Sequence, residues 1–183
     1  MKLLITGNMG YVGPGIMAQL RRSYPMAELH GYDNGNFAHA LTNASFLPER
    51  NLDAQHFGDL RDISESMLQD VDVLIHLAKD APESFPEINA LNTVRLASMA
   101  RAAGVKHFID PYGPGEIMVA KELQNLADQD FQVTILQFGM ACGMSDRLRL
   151  DLMLNDFVYQ AISEGQLTLS ADANECIRLI HVK

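Results

Sequence analysis

Cysteine is scarce in this chain. Cys142 and Cys176 are the only two among 183 residues, and they stand too far apart to form a metal-binding or redox motif. Both are expected as buried thiols in a reducing cytoplasm. Basic charge is also in short supply. Fourteen Lys and Arg face 23 Asp and Glu, for a net charge of −9 with no basic run, which argues against nucleic-acid binding through phosphate contacts. No stretch approaches the roughly 18 uninterrupted apolar residues of a membrane helix, so no membrane partner is expected. Only Leu3-Leu4-Ile5 precede Thr6-Gly7, too short a run for a signal peptide. The six histidines are scattered singly, so no metal site is expected. Internal repeats and low-complexity linkers are absent. With 48% hydrophobic and 20% charged residues, the chain has the composition of one soluble globular domain over 1–183.

What is present is concentrated at the start. Lys2 to Thr6 reads as a short buried strand. Gly7-Asn8-Met9-Gly10-Tyr11-Val12-Gly13 follows at once, and an apolar-periodic helix runs from about 12 to 22. A three-glycine pattern between strand and helix points to a dinucleotide. Gly7 allows a tight turn, Gly10 lets backbone approach a pyrophosphate, and Gly13 lets helix and strand pack closely. The helix N-terminus offers unpaired N–H groups to phosphates, and Pro14 in the first turn removes a donor that has no partner there. The bland alternative is a tight turn with no ligand. A second strand, 28–33, ends in Asp33, twenty residues after Gly13, where a carboxylate meets adenosine ribose hydroxyls. Asn34-Gly35-Asn36 brings no Lys or Arg to hold a 2′-phosphate, which favours NAD over NADP.

The remaining elements alternate. Strands are expected at 54–59, 71–78, 107–109 and 132–138, with short strands at 167–169 and 177–182. Helices are expected at 62–69, 86–103, 116–128 (with a start near Tyr112 as the alternative) and 151–164, with helical turns in the polar loop 36–50. Gly104 is placed as the residue that ends the long helix. Alternation of this kind implies an α/β, Rossmann-like, doubly wound parallel sheet.

The motifs Thr6-Gly7-x-x-Gly10-x-x-Gly13, Asp33, Gly58-Asp59-Leu60-Arg61-Asp62 and His76-Leu77-Ala78 occur together with Ile88-Asn89 and Thr93, Ala102-Ala103-Gly104-Val105-Lys106, Asn155-Asp156-Phe157 and Arg178-x-Ile180-His181-Val182. In this order the chain resembles the extended short-chain dehydrogenase/reductases, in the NAD-dependent nucleotide-sugar epimerase/dehydratase branch. The resemblance implies NAD as cofactor, held by Gly7, Met9, Gly10, Tyr11, Val12 and Gly13 at the pyrophosphate. It places Asp33 and Asn34 at the ribose, Asp59 and Leu60 at adenine, Leu77, Ala78 and Lys79 beside the cofactor bridge, and Asn89 nearby. It implies that Asn155 and Arg178 contact the phosphates of a nucleotide sugar; the plain alternatives are a helix polar face and a solvated strand end. His76 reads best as a satisfied core histidine.

The resemblance breaks at the chemistry. The family uses a Ser or Thr, a Tyr and a Lys, with Tyr and Lys four residues apart on one helix face. Tyr112 fits the Tyr position, but Glu116 stands where Lys belongs, and a carboxylate beside a phenol raises its pKa. Asp110-Pro111 joins the strand directly to Tyr112, so the hydroxyl-bearing segment is missing. By the resemblance, residues 140–183 are expected to contribute the remnant of a substrate region. Three functions follow: an NAD-dependent nucleotide-sugar enzyme with impaired chemistry, a non-catalytic NAD-binding subunit or regulator, or an assembly module. A homodimer is expected from the apolar residues Leu91, Val94, Leu96, Met99 and Ala100 of the long helix.

Overall fold

The computed structural model describes residues 1–43, 45–79, 86–112, 117–168 and 177–183, with side chains omitted at 86–88, 112, 117 and 118. Six parallel strands form the main sheet: β1 (Lys2–Thr6), β2 (Glu28–Asp33), β3 (Ala54–Phe57), β4 (Val73–His76), β5 (His107–Tyr112) and β6 (Gln132–Gln137), in spatial order β3-β2-β1-β4-β5-β6. The order reverses at β1, so the expected doubly wound Rossmann-like sheet is present. Right-handed crossovers that run outward in opposite directions place their helices on opposite faces. Accordingly α1 (Gly13–Ser23) covers one face, packing Met17 on Leu3, Ile5, Leu29 and Ile75. On the other face α2 (Glu65–Leu68), α3 (Pro86–Ala102) and α4 (Ile117–Leu126) close over Leu4, Leu74 and Phe108. Val73-Leu74-Ile75 is a continuous apolar run because a central parallel strand is covered on both sides.

Boundaries moved in informative ways. The expected helix 62–69 is a 3-10 turn at Leu60–Asp62 followed by α2, and the turns expected in 36–50 condense to a 3-10 turn at Pro48–Asn51. Strand β5 does not stop at Ile109. Asp110, Pro111 and Tyr112 continue it, paired with Ile135, Leu136 and Gln137 of β6. Pairing with β4 ends at Ile109, so Pro111 lies where one side of the strand carries no ladder and its missing N–H breaks nothing there. Tyr112 therefore ends a strand, and the expectation that it opens the next helix is corrected. Gly104, at φ +86°, follows α3, and its N–H donates to the Arg101 carbonyl at 3.1 Å, as a left-handed helix terminator does.

A small second sheet pairs β7 (Met140–Cys142) with β8 (Leu179–His181) in parallel. The sequence gives no sign of β7. Only three residues long, it is defined by a partner almost forty positions away. Leu167 and Thr168 lie outside any strand, contrary to expectation. Helix α5 (Met153–Ser163) leaves Val158, Tyr159 and Ile162 exposed. On α3, Leu96 and Ala100 are fully buried inside the chain, while Leu91 is 71% exposed. Cys142 is a buried free thiol, as expected, whereas Cys176 lies outside the described residues. Among the described residues no helix is long and apolar enough to cross a membrane, and no cluster of His, Cys, Asp or Glu could hold a metal.

Candidate functional site

In a parallel sheet every strand ends at the same edge, so the segments after β1, β2, β3, β4 and β5 converge. The glycine loop after β1 is fixed by contacts that leave no room for side chains. Gly7 adopts φ +74°, and a Cβ there would lie 2.4 Å from the backbone nitrogen of Ala78. A Cβ on Gly13 would lie 1.9 Å from the Asn8 carbonyl oxygen. Gly10 differs: the nearest atom to a Cβ would be the Gly7 carbonyl oxygen at 3.2 Å, with nothing else close. Two of the glycines are thus required by the protein's own packing, and the third leaves space for an approaching group. Val12 precedes α1 without a side-chain capping bond, so first-turn N–H groups are not satisfied by a cap.

Asp33 closes the other side of this cradle. Its Oδ2 accepts the Met9 N–H at 2.9 Å, and its Oδ1 accepts the Gly35 N–H at 2.8 Å. A carboxylate offers about four acceptor positions, so two such bonds orient the group without exhausting it. Asn34 is exposed, with its side-chain oxygen accepting the Asn36 N–H. Below the loop, Asn8 is fully buried and forms a reciprocal amide pair with Gln55, donating to Oε1 at 2.7 Å. Gly31 leaves room for that pair, since a Cβ there would sit 2.6 Å from Gln55 Oε1. Sequence reasoning missed it because neither amide lies in an apolar pattern.

After β3, Asp59 caps the 3-10 turn through the Arg61 N–H and pairs with the Arg61 guanidinium, which together hold its carboxyl down at about 2. Leu60 is buried with Tyr32 and Ile63. After β4, Leu77 and Ala78 are partly buried, Ala78 against the glycine turn. Lys79 donates to Oδ1 of Asp110 at 3.3 Å. His76 is hydrogen-bonded through Nδ1 to Thr6 at 2.8 Å and through Nε2 to Thr93 at 3.0 Å. Burial, reinforced by the charge of Lys79, pushes its pKa far down, so it is a neutral, satisfied core histidine. Asn89 lies one turn before Thr93 on α3, also buried.

The expected substrate residues part company. Asn155 is buried beneath the glycine loop. It accepts the Gly143 N–H at 2.9 Å and donates to the Tyr11 hydroxyl at 3.1 Å and the Arg149 carbonyl at 2.9 Å. Tyr11 in turn donates to the Gly143 carbonyl, and its own carbonyl accepts from Ser145 at 2.6 Å. Asn155 and Tyr11 therefore join the cofactor cradle to the 143–149 segment. Arg178 is exposed beside β8, its carbonyl accepting the Met140 N–H. Arg147, unnoticed in the sequence, is almost fully buried. Its guanidinium donates to the Phe37 and Ala38 carbonyls and to Glu49 at 2.8 Å. The loop after β2 is thereby tied to the C-terminal region. Glu116 and the Tyr112 side chain lie outside the described residues; the Tyr112 backbone closes β5.

The comparisons agree with this geometry. No curated protein matches the chain. Among solved structures, it is similar to a dTDP-glucose 4,6-dehydratase double mutant from Streptomyces venezuelae with NAD bound (21% identity, 100% of this chain and 68% of that one, TM-score 0.75). It is also similar to the dTDP-glucose 4,6-dehydratase of Bacillus anthracis in complex with NAD (17%, 100% and 68%, 0.76) and to the UDP-glucose 4-epimerase of Thermotoga maritima with UDP-glucose (16%, 100% and 70%, 0.76). At these identities the likeness establishes the fold. The sequence itself matches the NAD dependent epimerase/dehydratase family over residues 3–112, more than half its length. The chain belongs to that NAD-dependent epimerase/dehydratase family.

Proposed function

We propose that the protein binds NAD across the sheet edge at β1 and acts in nucleotide-sugar chemistry of the epimerase/dehydratase type, with that chemistry impaired. The observation that carries the proposal is the contrast among the loop glycines: Gly7 and Gly13 are filled by the protein, whereas Gly10 faces space a Cβ would invade. A pyrophosphate fits there, received by backbone N–H groups and the uncapped start of α1. The bonds from Met9 and Gly35 to Asp33 point its remaining acceptor capacity to a ribose diol. Asn34 would lie beside it, Asp59 and Leu60 at adenine, and Leu77, Ala78, Lys79 and Asn89 along the bridge. NAD, when bound, supplies a hydride acceptor. Asp33 disfavours a 2′-phosphate, because a carboxylate and a phosphate repel and residues 34–36 carry no cation. Calorimetric titration should show NAD binding at least about tenfold tighter than NADP. NADP binding equally or more tightly contradicts the assignment.

Catalysis is expected to be weak. Tyr112 remains the candidate proton donor, and Glu116 in the Lys position opposes its ionisation. Glu116→Lys alone should not restore family-like turnover, because β5 runs straight through the place of the hydroxyl-bearing turn, and losing a positioned proton-transfer group removes a factor of about 10²–10⁴. Turnover of a nucleotide-sugar panel by the parent at ordinary enzyme rates would refute this. Asn155 and Arg178 are kept on the substrate side of the site, Arg178 as the contact. For Asn155 the role is a positioning one, since its amide hydrogens already serve Tyr11 and Arg149. A non-catalytic NAD-binding role is the second reading, favoured by Glu116. The proposed assembly is a homodimer that covers Leu91, and the proposed location is a reducing cytoplasm, with which the two widely spaced cysteines fit. Sedimentation showing only monomer at micromolar concentration counts against the dimer.

A further inference from the structure

We propose that the buried Asn8–Gln55 amide pair is a positioning device: it fixes the glycine loop relative to the end of β3, so that a dinucleotide spanning the two finds both at the right separation. The inference rests on the NAD-binding function above. Asn8 lies inside the glycine loop and is fully buried. Its Nδ2 donates to Gln55 Oε1 at 2.7 Å and to Met17 Sδ at 3.6 Å. Gln55 Nε2 donates to Asn8 Oδ1 at 3.4 Å and to the His56 carbonyl at 2.9 Å. Each amide therefore has partners for both of its N–H bonds. Amides taken out of water gain little net stability from such bonds, and two apolar side chains of the same shape can serve packing as well. A fully satisfied polar pair differs from apolar packing in admitting one geometry.

The path of the pair shows which parts it holds. Gly31 of β2 is in register with Ile5 of β1 on one side and with Gln55 of β3 on the other. The Gln55 side chain reaches Asn8 across β2 because Gly31 has no side chain there: a Cβ would lie 2.6 Å from Gln55 Oε1 and 2.7 Å from Asn8 Nδ2. Strand β3 is a four-residue edge strand with no buried residue, and its ladder runs to β2. Its end is also tied to β2, by the Tyr32 hydroxyl donating to the Asp59 carbonyl at 2.9 Å and the Gly58 N–H to the Asp33 carbonyl at 3.0 Å. The amide pair ties β3 to the loop itself. The segment that β3 delivers, Asp59 and Leu60, is the proposed adenine end, and Asn8 sits between Gly7 and Gly10, which frame the proposed pyrophosphate position. Backbone contacts set the shape of the loop, through Gly7 on Ala78 and Met9 onto Asp33. The amide pair sets its distance from β3. Asn8 and Gln55 are thus positioning residues, acting from beneath the loop on the α1 side.

ADP spans the loop and the end of β3, whereas inorganic pyrophosphate meets the loop alone. Two variants break the pair by different routes. Asn8→Leu/Gln55→Met replaces both amides by apolar groups of similar volume, a change that can be nearly neutral for stability. Gly31→Ala keeps both amides and drives a methyl group into them, while alanine otherwise suits a strand better than glycine. With the full chain, and folding checked by circular dichroism, calorimetry should show ADP and NAD binding about tenfold weaker in both variants, with pyrophosphate within about twofold of the parent. Parental ADP affinity in either folded variant overturns the inference, because packing alone would then suffice. Equal losses for ADP and pyrophosphate overturn it too, since the pair would then shape only the loop. Loss of the fold in both variants assigns the pair to stability and has the same result. A parent protein that binds ADP no more tightly than pyrophosphate, or that binds ADP but not pyrophosphate at millimolar concentration, overturns the inference alone. A parent protein that binds neither ADP nor NAD overturns it together with the NAD-binding function.

Discussion

The two flanks of the site are built differently. On the adenosine side, β1, β2 and β3 place the glycine loop, Asp33 and Asp59 through contacts made largely by backbone: Gly7 against Ala78, Gly13 against Asn8, Met9 onto Asp33. On the far side, the 143–149 segment is tied to the rest of the chain by side chains reaching over a hundred residues, Tyr11 to Gly143, Ser145 to Tyr11 and Arg147 to Phe37, beside two backbone bonds, from the Thr42 N–H to the Asp146 carbonyl and from the Leu148 N–H to the Ala40 carbonyl. All three residues of β8 are exposed, and α5 buries only Asn155. A flank set by backbone sterics tolerates almost no change at its glycines and depends little on distant parts of the chain. A flank set by a few long-range bonds concentrates its stability in those bonds.

The largest test of that contrast is Arg147→Met. It leaves Glu49 and two carbonyls of the 37–38 turn without their buried donor, and should cost about 3–5 kcal/mol in denaturant unfolding, the range for breaking a buried pair from one side. A change below about 1 kcal/mol would show that the seam is held elsewhere. On the other flank, Gly13→Ala pushes a methyl group into the Asn8 carbonyl, 1.9 Å away, and should cost about 3 kcal/mol, because backbone cannot yield there as a side chain can. An unchanged melting temperature would mean that α1 can shift freely.

His76 joins β1 to α3 through Thr6 and Thr93 and gives a pH signature. Its folded pKa lies below its ordinary value of 6.5. Above about 6.5 both states are neutral and stability is complete; below it the unfolded chain takes up a proton that the folded chain refuses, so stability falls. The loss approaches about 1.4 kcal/mol per pH unit for this group. His56, also lowered by burial and by His30, adds in the same direction. The lowered carboxyls of Asp53, Asp59 and Asp72 act only as pH falls below their ordinary 3.8, so the two windows separate. His76→Gln should flatten the pH 5–6.5 limb of a stability curve, and an unaltered limb would assign it to other groups. Smallest is Arg61→Ala. The pair is exposed, so stability should change by less than about 1 kcal/mol. The Asp59 carboxyl should nevertheless rise from about 2 toward 3.8 in an NMR titration; no movement would separate the two residues in solution.

These differences also explain what the sequence could say. The glycine loop, Asp33 and the alternation of strands and helices were legible because each depends on residues close in the chain. His76 was legible as a core histidine because its neighbours on β4 are apolar. Arg147, Ser145 and the Asn8–Gln55 pair were not, since each acquires meaning only from a partner brought near by folding. Asp110 was visible as a departure from the family pattern, but its burial and its bond to Lys79 depend on β5 continuing through Pro111, which a proline in sequence argues against. Asn155 was found by resemblance, and the structure shows the work it does within the protein, joining Tyr11 to the 143–149 segment.

The central claim is that the space at Gly10 receives the pyrophosphate of NAD. Titration of Gly10→Val with NAD, alongside circular dichroism and thermal unfolding, tests it most directly. The account predicts a folded protein with its helix content intact and no measurable NAD binding, because the added side chain occupies the phosphate position while its Cβ meets one protein atom, the Gly7 carbonyl oxygen at 3.2 Å, which need give by only a few tenths of an ångström. A folded Gly10→Val protein that binds NAD with the parental affinity would contradict the account.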